Sequence, residues 1–281
     1  MFRIVVLMVL FMAMIFVVVT NLANKKTGRA GVDPLGGIGR GITKSLNSAD
    51  QLAPDLSNAL DRAERNLPKL VGKPGEEGSM ALRDFSGADF SGQSHAKATF
   101  AGALVSGAKF VNTLLDGATF EGATGDAVDF RKARLAASIF DASIFRKSDF
   151  SGAELRGATA RAADMSGSTF AAADVSFAKL SLFVGEKADF SGVYGAGAVF
   201  NEAQLQGAKF LSADLTGVRF VGADLSGADF SSANIEAAEF GGAKIYGANF
   251  STVVGWKADQ FANACGDAQT QLPKGAVAPA C

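Results

Sequence analysis

Histidine occurs once in the 281 residues, at His95, and cysteine twice, at Cys265 and Cys281. That scarcity removes most of the usual chemistry. A structural or catalytic metal centre needs several converging ligands, and nucleophile–base catalysis needs a histidine with partners in reach. His95 has no second histidine and no nearby cysteine, so neither a metal, another cofactor nor an enzyme is expected. Charge of one sign is missing too. The net formal charge is −1 with a pI near 5.9, and residues 81–255 hold 19 acidic against 15 basic side chains. A chain so balanced projects no strong field, and nucleic acid is not an expected partner. The Gly-rich run Gly36–Ser45 has no lysine directly after a glycine and no preceding strand, so it is not read as a phosphate loop.

What the sequence has in abundance is a period of five. From Phe85 to Phe250 a large residue stands at nearly every fifth position, with a small one, most often Ala, two places before it. Ala88-Asp89-Phe90, Ala223-Asp224-Leu225 and Ala248-Asn249-Phe250 show the pattern with its polar middle slot. Five matches neither the 3.6-residue period of a helix nor the two-residue period of a strand. It suits a chain that turns one corner per repeat, so that four repeats close a square coil of twenty residues. Sorting by twenty supports this. Phe90, Phe110, Phe130 and onward to Phe250 form one unbroken phenylalanine column. The opposite column is also mostly Phe, from Phe100 to Phe240, and the two between them are mostly aliphatic. Close packing leaves no room for aromatics on all four sides of a narrow core.

The unit Ala-(Asp/Asn)-Leu/Phe-X-X over 81–255 resembles the pentapeptide-repeat family. The resemblance implies an all-β solenoid, a right-handed quadrilateral β-helix of about eight coils, on the order of 40 Å long at the usual strand spacing. Each coil bonds only to its neighbours, so both ends need covers.

Ahead of the rod, Arg3 and Lys25 bracket a stretch without charge whose Ile4–Val19 part is solidly apolar. Residues 4–24 are long enough to cross a bilayer, and 1–24 is expected to be a transmembrane anchor, with a secretory signal the competing reading. Residues 25–45 read as a Gly-rich linker. From 46 to 80 the period becomes helical, with a heptad seam that includes Leu56, Leu60, Leu67 and Leu70. That segment predicts either a helical cap on the first coil or a seam through which chains associate into a homo-oligomer. Lys25, Lys26 and Arg29 favour a cytoplasmic rod, whereas cysteines confined to the tail favour an oxidising compartment. The expectation adopted is a single-pass protein of the bacterial inner membrane with a periplasmic rod.

Exceptions inside the repeat locate candidate features. Phe177, Leu182 and Val184 have no inward slot, and Ile139 and Ile144 form a second, weaker group; both are candidate contact surfaces. Phe183 is expected to fill the space left by Gly185. Phe145 is expected to be the only filler near Gly125, making that coil the loosest. After Phe250 the repeat stops, and 256–281 is expected to be a C-terminal cap and tail. Within it, 258–265 reads as a short amphipathic helix that lays Trp256 and Phe261 over the last coil. Cys265 and Cys281 can form a disulfide or remain two thiols.

The function expected is a non-catalytic, membrane-tethered structural or interaction module that presents a rigid rod to a protein partner. The alternative comes from the resemblance, which includes quinolone-resistance members that mimic DNA and bind topoisomerases. The mild charge and the lysines in polar slots, such as Lys109 and Lys209, weigh against it.

Overall fold

The structure, a computed structural model, describes residues 80–257 and 259–281. The expected segments 1–24, 25–45 and 46–79 lie outside them, as do the anchor and the association seam at Leu56, Leu60, Leu67 and Leu70. Among the described residues there is no helix, and none long and apolar enough to cross a membrane.

Each coil takes twenty residues. Parallel bridges join Asp84 to Leu104, Asp89 to Lys109, Ser94 to Leu114 and Thr99 to Thr119, and the same register continues to Asn234 and Val254. The bonds run both ways between coils: Phe85 N donates to Leu104 O at 2.7 Å, and Leu104 N donates to Arg83 O at 2.9 Å. At each corner a turn closes, as where Ala88 N donates to Phe85 O at 2.9 Å with Gly87 at φ +71°. A positive φ at the third turn residue is the type II geometry. The aspartate before the large residue completes many corners by accepting the N–H two residues on, as Asp84 does from Ser86 at 2.9 Å. That bond is the physical reason for the Ala-Asp-Phe pattern.

The four sides are numbered in chain order. Face 1 carries inward Phe85, Phe145 and Ile245, and face 2 the column from Phe90 to Phe250. Face 3 carries His95, Leu115 and Ile235, and face 4 Phe100, Phe120 and Phe240. Rings stack along a column, Phe90 on Phe110 at 4.8 Å and Phe170 on Phe190 at 4.7 Å. Those separations are the spacing of neighbouring strands. Across the core, faces 2 and 4 meet edge-to-face, Phe90 against Phe100 at 5.7 Å and 88°. Stacking along the rod and T-shaped contact across it are what let two aromatic columns share one narrow core.

Gaps in the columns are filled unevenly. A Cβ on Gly185 would lie 2.5 Å from the Phe183 ring, so Phe183 occupies that space. The expectation for Gly125 is corrected. A Cβ there would meet the methyls of Val105 and Val128 at 2.7 and 2.8 Å, so two valines close the site. Phe145 instead packs edge-on against Phe120, Phe130 and Phe140. The loose coil is the one at Ala160, which interrupts the face 4 column. An apolar cavity of about 20 Å³ lies there, lined by Leu155, Ala160, Met165, Leu180 and Phe183 among others. Ala160→Val is expected to raise the midpoint of chemical denaturation, a gain of about 1 kcal/mol from the added buried methyls. A lowered midpoint would mean that the neighbours leave no usable space.

The C-terminal helix expected over 258–265 is also corrected. Residues 259–263 form successive turns, with Ala262 N donating to Asp259 O at 3.1 Å and Ala264 N to Phe261 O at 3.0 Å, and the flanking backbone groups return to the ladder. Gly242 N donates to Asn263 O, Cys265 N to Ala243 O, and Phe250 N to Gln271 O. Phe261 still covers the last coil: it is fully buried and lies 5.3 Å from Phe240, extending the face 4 column. Trp256 is partly buried against the same core. The rod therefore ends by continuing its own pattern with inserted residues, bridging Lys244 to Cys265 and Asn249 to Gln271.

Candidate interaction surface

The residue before each inward large side chain points outward at the centre of a face, and the two after it form the corner. Most corners place Gly, Ala or a polar residue at positive φ. Leu82 breaks that habit in the first coil, at φ 57° and 72% exposed, and so do Phe177 and Leu182. The latter two sit at φ 58° and 60°, at the two corners that bound face 4, and their side chains are 54% and 52% exposed. The Phe177 ring lies along the corner, near enough to Gly197 that a Cβ there would be 2.9 Å away. The Arg156 guanidinium stands over the ring, 4.9 Å from its centroid, in cation–π geometry.

The five residues singled out in sequence divide between two adjoining faces. Ile139 is half-buried at the centre of face 4, which Phe177 borders. Ile144 and Val184 are half-buried on face 1, in one ladder column with Asp164 between them. Leu182 stands on the corner where faces 4 and 1 meet. Leu182 and Val184 thus adjoin, Ile144 lies two coils away across Asp164, and Phe177 lies at the far edge of face 4. Sequence reading missed Tyr194, 61% exposed on face 3, and Leu104, 49% exposed on face 1. Both occupy the slot directly before an inward position, so a scan of that slot for apolar residues would have found them.

Asp164 is held on three sides. Arg146 Nη2 and Nε reach its Oδ2 at 2.6 and 2.8 Å, and Ser166 Oγ donates to its Oδ1 at 2.7 Å. Partial burial works to raise its pKa, but the bonds from Arg146 and Ser166 together bring it below the ordinary 3.8.

His95 is buried, with Nε2 3.0 Å from Gln93 Oε1 and its ring edge-on to Phe90 at 5.3 Å. Burial lowers its pKa from the ordinary 6.5. The fold therefore favours the neutral ring, and the unfolded chain binds the proton more readily. Stability is fully present above pH 6.5 and is lost as pH falls toward the lowered value. His95→Phe is expected to flatten this part of a stability–pH curve, well above the range where carboxylates titrate. An unchanged slope in that variant would assign the loss to other groups.

Among the described residues no cluster of three or more His, Cys, Asp or Glu is placed to hold a metal ion. An open cleft of about 360 Å³ near the C-terminal end is lined by Glu239, Lys257, Asp259 and Gln260 among others. Two of its polar groups are already engaged: Glu239 pairs with Arg219 at 3.2 Å, and Gln260 Nε2 donates to Ile235 O and Ala238 O, each at 2.7 Å. At the same end Cys265 and Cys281 are bonded, with Cα atoms 5.4 Å apart, and Gly266 bridges to Ala280.

The family model for pentapeptide repeats matches in eight copies, covering 84–182 in overlapping stretches and again 213–251. No curated protein matches the chain. Among solved structures, full-length QnrB1, a plasmid-mediated fluoroquinolone resistance protein, aligns with 17% identity and a TM-score of 0.54, over 64% of this chain and 94% of its own. HetL, a pentapeptide-repeat protein involved in heterocyst differentiation regulation in the cyanobacterium Nostoc, aligns with 20% identity and a TM-score of 0.36, over 78% of this chain and 97% of its own. The repeat match, the twenty-residue ladder and the shared fold lead to one assignment: the chain belongs to the pentapeptide-repeat family, whose fold is the right-handed quadrilateral β-helix.

Proposed function

We propose that this protein is a non-catalytic interaction module, a rigid rod tethered to the bacterial inner membrane by residues 4–24 and presenting faces 4 and 1 to protein partners on the periplasmic side. One observation carries the reading. Phe177 and Leu182 hold bulky apolar side chains in a left-handed backbone conformation and leave more than half of each in solvent. The core gains from neither. Strain of this kind, of order 1 kcal/mol or more per residue, persists where something other than the fold requires the side chain. With Val184, Ile144 and Ile139 they make an apolar group on two adjoining faces, the character of a contact surface.

The DNA-mimic alternative has less support. Face 2 has the most outward aspartates, yet Lys109 and Lys209 interrupt them. Arg131 lies 2.6 Å from Asp129 and 3.8 Å from Asp149. A continuous acidic stripe does not form.

Leu182→Gly separates function from stability. It is expected to leave the rod as stable or slightly more stable in thermal denaturation, because glycine suits the corner, while weakening partner binding. A destabilised variant with binding intact would assign the leucine to the fold. The tether has its own test, a reporter fused after Cys281 that is active only outside the cytoplasm. Activity is expected; a silent reporter with a cytoplasmic counterpart active would place the rod inside and return the topoisomerase reading.

A further inference from the structure

Face 1 is close to self-complementary when one copy is reversed along the rod. Its outward centre column runs Asp84, Leu104, Thr124, Ile144, Asp164, Val184, Gln204, Asp224 and Lys244, one residue per coil. A twofold axis through Asp164, perpendicular to the rod and lying in the face, exchanges positions equally distant from it. Ile144 then meets Val184 twice, Asp84 meets Lys244 twice, and Thr124 meets Gln204. The corners agree. On the edge shared with face 4, Ala142 meets Leu182 and Ala162 meets its own copy; on the other edge Arg146 meets Glu186.

We infer that face 1 is an interface between two copies of this chain, packed antiparallel about Asp164. Charge decides the direction. In a parallel pair every centre-column position faces itself, so Asp84, Asp164, Asp224 and Lys244 would each oppose a like charge, which is destabilising at close range. Reversal replaces the outer repulsions with Asp84–Lys244 pairs. At the centre the two Asp164 carboxylates are each neutralised by their own Arg146 at 2.6 Å. Lys147 against Lys187 and Arg161 against its own copy are the unfavourable charge matches, and all three are exposed corner residues with chains long enough to reach solvent. Leu104 opposite Asp224 adds nothing. Two Asp164–Arg146 ion pairs thus lie at the centre, the Ile144–Val184 contacts flank them, and the Asp84–Lys244 pairs close the ends, an isologous arrangement.

This deepens the reading above and rests on it for face 1 only, leaving Phe177 and Ile139 on face 4 for a different protein. The test uses two full-length variants, Ile144→Cys and Val184→Cys, carrying tags of different length and purified with Cys265–Cys281 oxidised. Under mild oxidation a mixture of the two is expected to give a disulfide-linked mixed dimer, while each variant alone gives at least about tenfold less, because only the antiparallel pair sets 144 against 184. Efficient linkage of Ile144→Cys to itself would show a parallel pair and overturn the inference. So would failure of the mixture to link together with sedimentation of the unsubstituted chain as a monomer. A monomer that still binds a second protein through face 4 would end the dimer alone and leave the proposed function standing.

Discussion

Phe190→Ala is expected to be the most damaging single change in the rod. The ring is 1% exposed, stacked between Phe170 at 4.7 Å and Phe210 at 5.1 Å, and met edge-on by Phe200 at 5.6 Å. Truncation removes a whole aromatic payload and leaves a cavity whose walls are other rings, which cannot collapse inward without breaking their own stacks. Core Phe→Ala changes cost about 3–5 kcal/mol, which for a domain of this size lowers the melting temperature by roughly 10 °C. Position sharpens the expectation. In a solenoid each coil touches only its neighbours, so a defect in a middle coil weakens the coupling between the two halves. The unfolding transition is therefore expected to broaden or split. A loss below about 1 kcal/mol with a single sharp transition would mean that the column is not the continuous core described here.

Breaking the tail closure comes second. Cys265 lies in the ladder, bridged to Lys244, and Cys281 is the last residue, joined to it across sixteen positions. The returning tail is otherwise held by Gly266 N donating to Pro279 O at 2.9 Å and by partial burial of Leu272, Ala276 and Ala278. A ring of this size is worth about 3 kcal/mol in the chain-entropy account, so Cys281→Ser is expected to release most of the tail. In amide exchange the N–H of Gly266 is expected to lose protection, whereas Phe250, bonded to Gln271 O at 2.7 Å and packed on Phe230 at 4.4 Å, keeps its own. Loss of protection spreading through several coils would show that the disulfide holds the end of the rod and not only the tail. Unchanged exchange at Gly266 would show that the backbone and apolar contacts suffice.

How much of this was legible beforehand differs from element to element. The register was, because a large and a small residue in each repeat both turn inward and a single slip would spoil every column. Phe183 in place of Gly185 was readable for the same reason. The coil at Gly125 was misjudged because Val128, in a slot usually held by alanine, was overlooked as filler. The helix over 258–265 was misread because apolar residues spaced for a helix also serve a coil with inserted residues. Backbone groups of the last coil need partners, and that need overrides local helical periodicity. The apolar corner residues were found from their lack of an inward slot, but their grouping was not. Five positions along the chain are one quarter turn around the rod, so Phe177 and Leu182, near in sequence, stand on different edges.

The most direct test of the account is a photo-cross-linking amino acid placed at Phe177 in the living cell, with the same residue at Thr169 on the opposite face as control. The account expects an adduct to a second protein from position 177, lost in the Leu182→Gly background, and none from 169. Equal labelling from both positions, or none from 177 in a properly folded rod, would contradict the claim that this protein acts through the surface that Phe177 and Leu182 mark.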